Sequence, residues 1–139
     1  MKLQSALKYL LVLFLFAGTS CEKTILEPTF TFGKQSTFRL NELYTSSDGY
    51  NTLMITEIDD SRCPIGLECF WQGEVSLKGE WTANTNKSTF ELHSELKSLD
   101  KQSTGFVIQI IDVKPYPDVH SPSKPADKEV TLLISPKMY

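Results

Sequence analysis

The chain has few of the residues that usually carry chemistry or bind nucleic acid. Among its 139 residues there are two histidines and three cysteines, and its formal net charge is −3. No run of like charge is longer than the pair Asp59 and Asp60, so there is no basic stripe and we predict no nucleic-acid partner. The sequence also lacks a G-x-S-x-G nucleophile motif and a glycine-rich loop of the kind that cradles phosphates.

The spacings that are typical of zinc and redox sites are absent as well. His93 and His120 stand alone in the sequence, whereas zinc sites combine closely spaced cysteine and histidine pairs. Five residues separate Cys63 from Cys69, whereas redox-active dithiols favour a C-x-x-C spacing with a helix behind it. We therefore predict no cofactor and no metal, and we expect both histidines to be solvated.

Calcium is the remaining metal alternative, because Asp59, Asp60 and Glu68 could supply carboxylate oxygens. Their spacing does not match an EF-hand, and a salt bridge to the neighbouring Arg62 is the simpler expectation for these carboxylates. Because the sequence has no nucleophile motif, no phosphate-binding loop and no histidine in a catalytic context, we predict that the chain is not an enzyme.

No apolar run near the start of the chain is long enough to span a membrane. The run at residues 10–16 has seven apolar residues, whereas a spanning helix needs about 20. It follows Lys2 and Lys8 and precedes the small residues 17–20 and then Cys21. This order is typical of a secretory signal peptide with its cleavage site.

The cysteine directly after the small residues makes this segment resemble a bacterial lipoprotein signal, in the looser form found in the Bacteroides group. The resemblance implies that residues 1–20 are removed and that Cys21 is lipidated and becomes the N-terminus. The membrane would then be a partner through several acyl chains, since one chain binds only marginally. It also implies an outer-membrane lipoprotein of the cell envelope, facing the periplasm rather than the cell surface. An ordinary signal peptide that is cleaved elsewhere is the alternative.

Removal of residues 1–20 leaves 119 residues with a formal charge of −5, because that segment carries two lysines and no acid. This length indicates one domain. We predict a lipidated tether at 21–36 and a single β domain at 37–139, with residues 29–32 either a first short strand or part of the tether. Cys63 and Cys69 then remain as an even number in an exported protein, which predicts a disulfide.

Alternation of apolar and polar residues dominates the domain. Residues 71–81 alternate strictly, which predicts a strand with one buried and one solvated face. Further strands are predicted around residues 37–41, 52–56, 90–92, 106–113 and 130–134. We expect 106–113 to be central, and residues 94–101 are the one helix candidate. The pattern favours an all-β fold, an antiparallel β-sandwich of six to seven strands that could be immunoglobulin-like, with a small closed β-barrel as the alternative.

Residues 60–73, DSRCPIGLECFWQG, contain the most distinctive motif. They resemble the pattern D-S-R-C-P-x4-C-x-W-x-G of small uncharacterised bacterial envelope lipoproteins. Those proteins also tend to have a hydrophobic strand that ends in a Pro-Tyr-Pro-like turn, which VKPYP at 113–117 matches. The resemblance implies architecture and location and no established activity.

From these residues we predict a lipid-anchored binding or structural accessory module of the cell envelope, whose protein or small-molecule partner is unknown. Its candidate interaction surface comprises Arg62, Phe70, Trp71 and Tyr116. One alternative is a barrel that carries a small apolar ligand. A second, weaker alternative is a hydrolase that uses His93 or His120 with a nearby carboxylate.

Overall fold

The computed structural model describes residues 28–102 and 104–137, so the signal segment and Cys21 lie outside the described residues. The described chain is built almost entirely from β-strands. The strands are β1 (Thr29–Phe30), β2 (Gln35–Arg39), β3 (Leu43–Ser46), β4 (Asn51–Asp60), β5 (Val75–Ala83), β6 (Asn86–His93), β7 (Lys101–Gln102), β8 (Phe106–Lys114) and β9 (Glu129–Pro136).

The strands form two sheets that share one hydrophobic core. The larger sheet has the order β1-β3-β4-β5-β6-β7, and the smaller has the order β2-β9-β8. Among the named strands, pairing is antiparallel except between β1 and β3, which run parallel. Among the described residues the sheets do not close into a barrel, and the predicted sandwich is confirmed. Strands β3 to β6 form a meander, which differs from the strand order of immunoglobulin domains.

Alternate residues of the strands point into this core, as the period-two pattern predicts. Leu77 and Trp81 of β5 belong to the same core as Leu132 and Ile134 of β9, and all four are almost completely buried. The predicted strand at 71–81 therefore has the right inward face but the wrong start. The strand begins at Val75, and residues 71–74 belong to the loop that precedes it.

The N-terminal part of the described chain belongs to the core. Phe30 in β1 is buried, and its ring centroid lies 5.8 Å from that of Phe38 and 5.9 Å from that of Trp81. Residues 29–30 pair with β3 as a short strand, which is one of the two alternatives predicted for this segment. The packed part of the chain begins before residue 37, where the sequence placed the domain boundary, because burying an aromatic ring of this size holds β1 against β3.

Strand β8 differs from its prediction as a central strand, because it lies at the edge of the smaller sheet and β9 takes the centre. A bulge between Ile110 and Asp112 turns Ile111 outward. The free edge is partly covered by the Gln102 side chain, whose amide accepts a hydrogen bond from Ile108 N–H (2.9 Å) and donates one to Ile108 C=O (3.1 Å). This side chain ties β7 of the larger sheet to the smaller sheet.

The helix considered at 94–101 does not form. The segment contains one 3₁₀ turn, Lys97–Leu99, and then β7, which pairs with β6. Within the described ranges, no helix is long and apolar enough to cross a membrane.

Candidate functional site

Two long hairpin connections leave the sandwich side by side. The disulfide loop, residues 61–74, joins β4 to β5, and the proline loop, residues 115–128, joins β8 to β9. Their bases meet where Lys128 Nζ lies 2.6 Å from Asp60 Oδ2. In many proteins, binding residues concentrate on neighbouring loops that a rigid scaffold holds at one end of the fold.

An ion cluster of Asp60, Arg62 and Lys128 joins these bases. Arg62 donates from Nε and Nη2 to the two carboxylate oxygens of Asp60, each at 2.7 Å. The side chains of Asp60 and Lys128 are only 5% exposed. Burial alone would raise the pKa of the Asp60 carboxyl, but hydrogen bonds from Arg62 and Lys128 outweigh it and hold this pKa below its usual value. The carboxylate is thus kept ionised between two cations.

The same two cations hold the start of the proline loop. Lys128 Nζ donates to the carbonyl of Pro115 at 3.0 Å, and Arg62 Nη2 donates to that of Val113 at 3.0 Å. The Arg62 guanidinium also lies 4.4 Å from the ring centroid of Tyr116, a cation–π contact. With its side chain 15% exposed, Arg62 positions the loops, whereas the sequence placed it on the interaction surface.

The predicted disulfide between Cys63 and Cys69 is present, with a Cα–Cα distance of 5.8 Å. Below it, the two sides of the loop are joined by a hydrogen bond from Cys63 N–H to the Gln72 carbonyl at 2.7 Å. Gly73 has a φ of +69°, and a Cβ there would lie 1.9 Å from the Ser61 carbonyl oxygen. The close approach of the two sides of the loop therefore requires glycine at this position.

The tips of the two loops also touch. Ile65 N–H donates to the Pro117 carbonyl at 2.9 Å, and Val119 N–H donates to the Ile65 carbonyl at 3.2 Å. The Val119 side chain lies so close to Gly66 that a Cβ there would be 2.8 Å from it. The loops therefore form one connected surface.

This surface exposes most of the large hydrophobic side chains that the described residues leave in solvent. We call it the apolar tip, and it comprises Ile65, Leu67, Phe70, Trp71, Tyr116 and Val119. Phe70 is fully exposed and Trp71 is 76% exposed, so Trp71 does not pack in the core as its place in the predicted strand implied. Clustered exposed apolar residues are a mark of interaction sites.

A groove of about 370 Å³ opens beside the tip. Its lining residues come from the disulfide loop and from the segment after β6: Ser61, Trp71, Gly73, Glu74, Glu95 and Leu96. The groove therefore combines an exposed aromatic ring with two carboxylates.

The histidines are placed differently from each other. The His93 side chain is only 12% exposed, so the expectation that it is solvated is wrong; its Nδ1 lies 3.2 Å from Glu74 and its Nε2 3.9 Å from Glu91. His120 is exposed in the proline loop. Among residues 28–102 and 104–137, neither ring has a hydroxyl hydrogen-bond partner, and no group of three or more His, Cys, Asp or Glu side chains could hold a metal.

The structure places the predicted Phe70, Trp71 and Tyr116 together on the exposed apolar tip, whereas no sequence pattern indicated Lys128 or the groove carboxylates. Lys128 is 68 residues away from Asp60 in the chain, and no local pattern signals that pairing. No protein-family model, curated protein or solved structure matches this chain.

Proposed function

We propose that this protein is a lipid-anchored module of the bacterial cell envelope that binds a protein partner through the apolar tip. The resemblance of residues 1–21 to a lipoprotein signal supports the anchor and a location in the outer membrane, facing the periplasm. The motif at 60–73 supports the same envelope setting. The groove and the tip support binding.

The observation that carries the proposal is the rigidity of a surface that exposes apolar side chains. A disulfide, an ion cluster, a cation–π contact and inter-loop hydrogen bonds hold the two loops. Tryptophan and tyrosine, the residue types of Trp71 and Tyr116, often dominate the binding energy at interfaces, and phenylalanine is enriched there. A surface held in place before binding loses less conformational entropy when a partner docks.

The start of the described chain and the tip lie toward opposite ends of the sandwich. Strand β1 pairs with Thr45 and Ser46, and Thr45 pairs with Thr52, eight residues before Asp60 in β4. At about 3.3 Å per residue this places β1 about 26 Å from the base of the loops. The tip therefore lies away from the end of the sandwich at which the described residues start, and this favours a partner outside the anchoring bilayer.

Binding is proposed rather than catalysis because each candidate histidine lacks a hydroxyl partner within the described residues. The alternative of a barrel that carries a small apolar ligand receives no support, because the two sheets do not close into a barrel among the described residues.

The anchor is tested by growing cells with a clickable palmitate analogue. The wild-type protein should incorporate the label and sediment with membranes, whereas Cys21→Ala should do neither. Labelling of the C21A variant at the wild-type level would contradict lipidation at this cysteine.

The binding surface is tested with a photo-crosslinking amino acid placed in the full chain in cells. Position 70 lies on the tip, and position 50 is a matched control, because Tyr50 is an exposed aromatic residue at the β3–β4 turn. A discrete adduct should form from position 70 only and should be lost when Ile65 and Leu67 are changed to serine. Equal adducts from both positions, or an adduct that survives the serine changes, would contradict docking at the tip.

A further inference from the structure

The groove beside Trp71 has the chemistry of a site for a cation. Its carboxylates are Glu74 and Glu95, and among residues 28–102 and 104–137 no lysine or arginine lines it. We infer that this groove receives the lysine or arginine side chain of the partner protein. The inference rests on the proposed binding function and adds the chemical class that the groove selects.

The two carboxylates have different roles. Glu74 is fixed in place, because one oxygen lies 3.2 Å from His93 Nδ1 and the other accepts a hydrogen bond from Leu96 N–H at 3.4 Å. Glu95 is exposed and has no ion pair or hydrogen bond to any described side chain. Glu95 is therefore the acceptor that remains available for a charged donor from a ligand, while Glu74 supplies a fixed negative charge behind it.

The apolar walls fit the rest of a basic side chain. An exposed tryptophan face attracts a guanidinium or ammonium group within about 6 Å of the ring centroid, and tryptophan is the strongest aromatic partner for this contact. Leu96 offers a surface for the aliphatic stem, which lysine and arginine pack along apolar neighbours while the charge stays near water. The chain already uses the same chemistry internally, where Arg62 lies over Tyr116.

Hydrogen bonds between Ser61 and the Glu74 backbone fix the shape of the groove. Ser61 Oγ donates to the Glu74 carbonyl at 2.9 Å and accepts from Glu74 N–H at 3.2 Å. These bonds fix the two sides of the disulfide loop at the groove, so a ligand meets a formed site rather than ordering a loose one.

The test is a titration of the full chain, in nonionic detergent, with a capped Ala-Leu-Arg-Leu-Ala peptide and with the same peptide carrying citrulline in place of arginine. Citrulline keeps the shape of arginine without its charge. Tryptophan emission serves as the readout, because Trp71 is exposed and Trp81 is buried. We expect a saturable change with the arginine peptide and at least fivefold weaker binding of the citrulline peptide.

Variants assign the effect to the groove. Glu95→Gln should weaken the arginine peptide at least threefold and leave the citrulline peptide unchanged. Glu68→Gln is the matched control, because Glu68 is an exposed acid of the disulfide loop that does not line the groove, and this variant should bind as the wild type does. No saturable binding, equal binding of the two peptides, or equal effects of both variants would overturn the inference. Crosslinking at position 70 that persists in E95Q cells would leave the proposed function standing even then.

Discussion

Replacing Asp60 by asparagine should destabilise the protein far more than replacing Lys128 by methionine. Asp60 lies between two cations, and its carboxylate accepts hydrogen bonds from Arg62 Nε and Nη2 and from Lys128 Nζ. An asparagine in its place leaves two largely buried cations without a counter-charge. A methionine at 128 instead leaves the bidentate pair of Asp60 and Arg62 intact.

The expected magnitudes follow from this difference. Removing one partner of a buried ion pair costs about 3–5 kcal/mol when an uncompensated charge stays behind. Losing Lys128 removes charge-assisted hydrogen bonds to Asp60 and to the Pro115 carbonyl, but it also removes a buried ammonium group, so we expect about 1–2 kcal/mol. The D60N variant should therefore be less stable than K128M by about 1–4 kcal/mol.

Urea unfolding at pH 7 measures both values. A Trp71→Phe background leaves the buried Trp81 as the sole tryptophan, so that its emission reports the core rather than the loops. Equal destabilisation by D60N and K128M, or a cost below about 1 kcal/mol for D60N, would refute the argument that one carboxylate neutralises the cluster.

The pH dependence provides a second measurement on the same carboxylate. Because folding lowers the pKa of Asp60, its contribution to stability is fully present above its ordinary pKa of about 3.9. The contribution is lost as pH falls through the lower pKa of the folded state. Unfolding free energies measured from pH 6 to pH 2 should fall more steeply in the wild type than in D60N, and parallel curves would contradict this assignment.

Three further changes test the scaffold. Gly79→Ala should cost about 1–3 kcal/mol, because a Cβ there would lie 2.2 Å from the Phe90 ring, whereas Gly105→Ala, with nothing within 4 Å, should be nearly neutral in the same melts. Gln102→Ala should cost about 1–3 kcal/mol by leaving the buried Ile108 backbone groups without their side-chain partner, and faster amide exchange at residue 108 would report it. Changing both cysteines of the disulfide to alanine should cost about 2 kcal/mol in urea unfolding, the chain-entropy value for so short a loop, and an unchanged midpoint would contradict a role in global stability.

Local sequence patterns were sufficient to predict much of the fold. The alternation around Trp81 and Leu132 predicted which residues enter the core, because the strand repeat of two leaves little choice when one face must be buried. The two cysteines that remain after Cys21, in a chain expected to be exported, were sufficient to predict the disulfide between Cys63 and Cys69. Both features depend on residues that are close together in the chain.

Sheet position was not predictable in the same way. The hydrophobic segment at 106–113 was expected at the centre of a sheet, yet it lies at the edge as β8, with a bulge that exposes Ile111. A strand's neighbours are selected by the packing of the whole chain. Composition reports how apolar a strand is and does not report how many partners it has.

The sequence by itself determined the strand alternation, the all-β class and the short covalent loop, since each of these follows from residues near one another in the chain. Tertiary structure alone decided the candidate site. It paired Asp60 with Lys128, brought Arg62 over Tyr116 with most of its side chain covered, and brought Glu95 beside Trp71. These contacts join residues that are tens of positions apart. Their energies depend on burial and on distances that exist only once the two sheets have packed together.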